Sequence, residues 1–193
     1  MLKIAVLLSG SGRTLDNFHE RIGNGTLDAE IQVVISNVKD ALGLSKAEKY
    51  GYPAFYVAKN EAINAILKDY PIDIICLAGF LKLYEPPPAL VRSVINIHPS
   101  LIPAFCGDGF YGSRVHRAVK ERGCLVSGCT VHFASEVYDE GPIIVQKSVD
   151  LDYDDTPESI AAKVFAAECE AFPEALNRVN EKGIDFFWKR VQS

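Results

Sequence analysis

The stretch Val94-Ile95-Asn96-Ile97-His98-Pro99-Ser100-Leu101-Ile102-Pro103 organises the chain. It opens as an apolar, β-branched run, the composition of a buried strand. Asn96 and His98 interrupt that run two residues apart, and residues i and i+2 of a strand share a face. One amide and one imidazole therefore point into the same space, while Ile95 and Ile97 point the other way. Pro99 cannot continue the ladder, so the strand ends where its polar pair is presented. An amide donor beside a group titrating near neutrality suits acyl transfer, which must hold a developing oxyanion and move protons. On its own the pair also reads as a hydrogen-bonded strand end, so the rest of the chain has to decide.

Upstream, short apolar runs alternate with helical patterns. Strands are expected at residues 2–8, 30–36, 54–57 and 72–77, and helices at 14–22, 41–50 and 61–69, with a short helix opened by Pro86-Pro87-Pro88. That alternation predicts an α/β fold, a doubly wound, Rossmann-like, mostly parallel sheet with helices on both faces. Right-handed crossovers bring the C-terminal strand ends to one edge, where such folds bind ligands. The glycine turn after residue 8, the Gly79-Phe80 segment and the Asn96/His98 pair all fall there. Downstream, residues 99–112 read as a long Gly-rich loop, 113–122 as a helix, and 126–133 and 143–149 as strands. Thr156 with Pro157 reads as an N-cap and N1 proline. The helix they open is expected to be kinked or divided by Pro173, and residues 184–191 to add an edge strand.

The 193 residues suit a single domain, 1–193. With 48% hydrophobic and 23% charged residues the composition is that of an ordinary globular protein. A net charge of −5 argues against a wide nucleic-acid surface. No signal peptide or run of transmembrane length is apparent, so no membrane association is expected. Five cysteines without a CxxC pair predict reduced thiols, no metal site and a cytoplasmic location.

Ser9-Gly10-Ser11-Gly12-Arg13-Thr14, between a strand and a helix, offers backbone N–H groups to an anion. It completes neither the Walker nor the dinucleotide pattern. A plain tight turn is the alternative, and Arg13 with the Thr14 hydroxyl favours phosphate. Asp139 sits in a turn before Gly141-Pro142, in a loop able to close over the cleft, and a carboxylate beside an imidazole raises the pKa of that imidazole and fixes its tautomer. Glu168 matters only if its helix face covers the cleft. His116 and His132 read as hydrogen-bonded fillers, His19 as a surface helix residue, and Phe186, Phe187 and Trp188 as packing. Cys106 has no visible base, so no covalent intermediate is expected.

The strings Asn96-x-His98-Pro99-Ser100-Leu101-Ile102-Pro103, Gly128-Cys129-Thr130-Val131-His132-Phe133 and Asp139-x-Gly141-Pro142-Ile143-Ile144 resemble those of the 10-formyltetrahydrofolate-dependent formyltransferases. The opening Leu8-Ser9-Gly10-x-Gly12, Glu168-x4-Pro173 and the overall length resemble the branch of that family acting on phosphoribosylglycinamide. The likeness covers about residues 2–180, and it implies a phosphate-binding Rossmann-like half at 1–98 and a folate and catalytic-loop half at 99–193 within the one domain. It implies the formyltransferase fold, whose C-terminal strands are antiparallel. It also implies formyl transfer from 10-formyltetrahydrofolate, as co-substrate, to the amine of 5′-phosphoribosylglycinamide in de novo purine synthesis. Asn96 would then bind the formyl oxygen, His98 act as general acid–base, and Asp139 raise its pKa and relay protons. Gly12, Arg13 and Thr14 would hold the 5′-phosphate and Glu168 the acceptor amine or its neighbours. Leu81, Lys82, Leu83 and Tyr84 would present backbone groups to the pterin, with Leu77 and Val137 lining its pocket. The family's folate-tail arginine falls near Asn60, Ala104 stands where a cation is often found, and the 105–112 insert is longer than in short-looped members.

The chemistry is consistent without the family name. One positioned amide donor contributes about 2.7–4 kcal/mol against developing charge, and a placed acid–base about 10²–10⁴ in rate. Hydrolysis of the same folate would use the same trio, but those enzymes carry an N-terminal regulatory domain. Formylation of methionyl-tRNA would call for a tRNA-binding barrel and basic surface. A folate- or nucleotide-binding module without catalysis is the remaining alternative. The expected partners are small molecules, with the chain a monomer or homodimer.

Overall fold

The computed structural model describes residues 1–191. Its centre is a seven-stranded sheet built from β1 (Leu2–Leu8), β2 (Ala29–Ser36), β3 (Ala54–Tyr56), β4 (Ile74–Leu77), β5 (Val94–His98), β6 (Val126–Phe133) and β7 (Ile143–Asp150). The spatial order is β3-β2-β1-β4-β5-β6-β7. The first five strands are parallel, β6 runs antiparallel to β5, and β7 runs antiparallel to β6. The chain leaves β1 toward β3, then returns to build β4 and β5 on the other side. Strand order therefore reverses between β1 and β4, which opens a crevice beyond their C-terminal ends.

Six helices cover the sheet: α1 (Arg13–Gly23), α2 (Leu42–Lys49), α3 (Asn60–Leu67), α4 (Ser113–Arg122), α5 (Pro157–Lys182) and α6 (Ile184–Arg190), with a 3₁₀ turn at Pro88–Leu90. Alternate residues of β1 feed opposite cores, as a two-residue period requires. Ile4, Val6 and Leu8 pack with α1 and α5 through Leu15, Phe18, Phe172 and Leu176. Ala5 and Leu7 pack with α3 through Ile63 and Leu67. With both faces covered, the parallel strands are near-continuous apolar runs.

Three expectations are corrected. Residues 184–190 form a helix, α6, rather than an edge strand. Its Phe187 is buried against Phe133, Trp188 also packs on Phe133 and donates Nε1–H to the carbonyl of Arg92, whereas Phe186 is half exposed. Pro173 does not divide its helix, because α5 is continuous over 26 residues. Proline there removes the donor for the Cys169 carbonyl, and Arg21 Nη2 supplies another at 3.4 Å. His19 is no free surface residue: its ring stacks on Tyr50, with centroids 3.9 Å apart, and Nδ1 meets the Tyr52 hydroxyl at 2.9 Å. The Thr156 cap forms as expected, in a reciprocal box with Ser159.

Candidate active site

β5 ends at the crevice, and its pairing with β6 sets Asn96 opposite His132 and His98 opposite Thr130. Asn96, His98, His132 and Asp139 all line one cleft of about 410 Å³. His98 is only 4% exposed. Its Nε2 lies 2.8 Å from the carbonyl of Phe105, and a carbonyl can only accept, so the proton of the neutral ring is on Nε2. The free nitrogen is then Nδ1, which faces Oδ2 of Asp139 across 3.4 Å. A proton taken up by His98 lands on Nδ1 and completes an ion pair.

Asp139 is delivered by a strained turn. Its φ is +60°, in the left-handed region that non-glycine residues seldom enter. Oδ2 accepts the Gly107 N–H at 2.9 Å, and Oδ1 lies 3.5 Å from His132 Nε2. Burial pushes this carboxyl up, but the contact with His132, the Gly107 N–H and the His98 ring outweigh it and hold the pKa below the usual range. For His98 the expected upward shift is not found. Burial lowers its pKa by more than Asp139 and the Phe105 carbonyl raise it, so the ring rests neutral near pH 7.

His132, read from the sequence as a filler, completes the arrangement. Its Nδ1 donates to the Phe133 carbonyl at 2.9 Å, and Nε2 lies 3.1 Å from Asn96 Nδ2. It is thus the NH₂ side of the Asn96 amide that is turned toward the ring. One N–H of Asn96 is held there and the second is free for an oxygen in the cleft. The one sequence signal for this role was the alternation of β6, which sets Thr130 and His132 on a common face.

The glycine loop forms another part of the same cleft, through Gly10, Ser11, Gly12, Arg13 and Thr14. Gly12 precedes α1 with φ +70°, and a Cβ on it would lie 2.6 Å from the Cα of Gly43. Glycine is therefore required twice, for conformation and for the approach of α2. The Arg13 guanidinium rests 3.8 Å above the Phe165 ring. Glu168, one turn further along α5, is half-buried. Burial pushes its carboxyl up to about 7, with Arg13 pulling the other way.

Leu77, Leu81, Lys82, Leu83, Tyr84 and Val137 border the cleft as well. Ser9 joins this segment to the glycine loop: its N–H donates to Gly79 and its Oγ accepts from the Leu81 N–H. Asn60 is not brought into the cleft and instead donates Nδ2–H to the Leu83 carbonyl at 3.2 Å, supporting the segment from behind. The structure adds Phe110 and Tyr111 of the insert and Phe165 to the cleft, and it corrects His116, expected as a hydrogen-bonded filler, to a cleft-wall residue whose Nδ1 has no hydrogen-bond partner. Among the described residues no group of three or more His, Cys, Asp or Glu side chains is arranged to hold a metal ion.

An amide with a free N–H, a buried neutral imidazole and a carboxylate behind it are the groups that acyl transfer requires, and they share their cleft with the glycine loop. Residues 2–176 match the formyl transferase family, and the chain belongs to it. Within that family it is 37% identical over 194 residues to the chloroplastic phosphoribosylglycinamide formyltransferase of Arabidopsis thaliana, which covers 94% of this chain and 66% of the relative. It is 38% identical to the human trifunctional purine biosynthetic protein adenosine-3 over 92% of this chain, a span of only 18% of that protein. The crystal structure of glycinamide ribonucleotide transformylase 1 from Symbiobacterium toebii superposes with a TM-score of 0.86 at 36% identity, covering 94% of this chain and 88% of that one.

Proposed function

We propose that the chain transfers the formyl group of 10-formyltetrahydrofolate to the amine of 5′-phosphoribosylglycinamide, a step of purine biosynthesis. The observation that carries this reading is the shared cleft: Asn96, His98 and Asp139 line it together with the Gly10–Thr14 anion cradle. Hydrolysis of the folate alone gives that cradle no task. The names of the Arabidopsis and Symbiobacterium relatives support the same acceptor.

In the reaction the acceptor nitrogen attacks the formyl carbon, forming a C–N bond and an oxyanion. The free N–H of Asn96 donates to that oxyanion. Neutral His98 accepts the proton of the new ammonium group on Nδ1, beside Asp139, and the proton passes to N10 of the folate as its bond to carbon breaks. Gly12, Arg13 and Thr14 hold the phosphate, where the start of α1 and a guanidinium favour a dianion. Glu168 receives the acceptor's amine or its neighbours. Leu77, Leu81, Lys82, Leu83, Tyr84 and Val137 hold the pterin, and Asn60 acts by supporting their backbone. Five unpaired thiols support a reducing, cytoplasmic location.

Absorbance-monitored turnover of a 10-formyl folate, with and without phosphoribosylglycinamide, tests the proposal. Turnover that depends on the acceptor is expected. Deformylation at the same rate in its absence would overturn the transferase in favour of a hydrolase.

A further inference from the structure

His116 is a buried polar side chain in the cleft that none of these steps uses. It sits on α4, is 7% exposed and forms part of the cleft wall. Its Nδ1 is shut off from solvent and has no hydrogen-bond partner. The second nitrogen, Nε2, is unpaired too but is not sealed, so it is the one open to the cleft. An orphaned N–H in the interior is rarer than an orphaned acceptor, which places the proton of the neutral ring on Nε2. Charging the ring would bury an unpaired N–H at Nδ1, and burial and His98 both oppose that charge. His116 therefore offers a single neutral N–H, suited to donate to an oxygen and not to transfer a proton, and the phosphate is already assigned to the glycine loop. His116 lines the same cleft as the glycine loop assigned to the acceptor's phosphate. Tyr111 and Gly112 lead into α4, and α4 packs on α5, whose Phe165 lies under Arg13 of the glycine loop.

We propose that His116 is a substrate-positioning residue whose Nε2–H donates to an uncharged oxygen of the phosphoribosyl acceptor, a ribose hydroxyl or the glycinamide carbonyl. This rests on the acceptor reading given above. Three variants test it: His116→Phe removes the donor, His116→Gln returns an N–H near the position of Nε2, and His116→Asn returns one near Nδ1. Each is titrated calorimetrically with phosphoribosylglycinamide and assayed with either substrate varied.

The expected result is an acceptor Kd and KM about tenfold higher in His116→Phe, as for one neutral hydrogen bond. His116→Gln recovers most of the affinity and His116→Asn does not, while the folate KM and the pH profile of kcat stay in place. A fall in kcat with acceptor affinity unchanged would make His116 a proton relay and overturn the proposal. Equal affinity in the Gln and Asn variants would also overturn it, and this pair decides the matter if the Phe variant fails to fold. Wild-type protein that binds no phosphoribosylglycinamide contradicts the acceptor reading itself. Wild-type binding matched by His116→Phe contradicts only the role of His116.

Discussion

The two ends of the cleft are built on different principles. At the β5/β6 end, His98, His132 and Asp139 are buried and each is held by backbone: the Phe105 carbonyl, the Phe133 carbonyl and the Gly107 N–H. At the other end the proposed anion site is the glycine loop, whose cation is an exposed arginine resting on an aromatic face. Chemistry requires protons on specified atoms, so that end spends burial and strain on fixing tautomers. Holding a phosphate requires N–H groups and charge, and a side chain that adapts serves as well as one that is locked. Substitutions at the two ends should therefore separate kcat from KM.

The largest effect is expected from His98→Ala and Asp139→Asn, which should cut kcat by about 10²–10⁴ while ligand affinity, measured by titration, largely survives. Loss of folate binding in either would show that their roles are misassigned. Asn96→Ala should cost about 10²–10³ in kcat. His132→Phe should act in the same direction through Asn96 by about tenfold to a hundredfold, because it frees the amide without touching a reacting atom. The two losses should combine less than additively in the double variant, which a mutant cycle measures.

The pH dependence sharpens the contrast. Burial holds His98 below its ordinary pKa of 6.5, so the acidic limb of kcat/KM should fall below pH 6.5, and Asp139→Asn should move its residual limb lower still. Stability changes with pH in the same sense. The unfolded chain takes up a proton at His98 first as pH falls below 6.5, and the lowered carboxyl of Asp139 loses its contribution as pH falls through its folded pKa. Glu168 opposes both, because its raised carboxyl takes up a proton in the folded chain first as pH falls through about 7, so in Glu168→Gln denaturant midpoints should drop on acidification below pH 6.5.

At the other end the effects are smaller and fall on the acceptor. Gly12→Ala puts a Cβ 2.6 Å from Gly43 Cα at a φ of +70°, so about 1–3 kcal/mol of stability should be lost. The acceptor KM should rise with the folate KM unmoved. Arg13→Ala should raise the acceptor KM by severalfold. A rise in the folate KM instead would place the phosphate site elsewhere.

How much of this was legible in the sequence follows the same division. The strands of the parallel sheet were, because β-branched runs bounded by glycine have few other readings, and the Asn96/His98 spacing aimed both at one face. His132 was not, since its role comes from the β5/β6 register, a long-range pairing that local pattern does not encode. Asp139 pulls His98 upward as the sequence suggests, but the burial that outweighs it is not visible there. The Phe-Phe-Trp run of α6 looked like a strand because its aromatics pack tertiary neighbours, chiefly Phe133, and propensity yields to such contacts. The continuity of α5 past Pro173 was not legible either: the donor that meets the freed Cys169 carbonyl is on Arg21, far away in sequence.

The central claim is that one cleft joins a formyl-transfer centre to a phosphate cradle. It is tested most directly by comparing kcat/KM of the wild-type protein for phosphoribosylglycinamide and for the same acceptor without its phosphate. A drop of about a hundredfold or more on dephosphorylation, with kcat at saturation changed far less, is the result the account predicts. Equal kcat/KM for the two acceptors would contradict it.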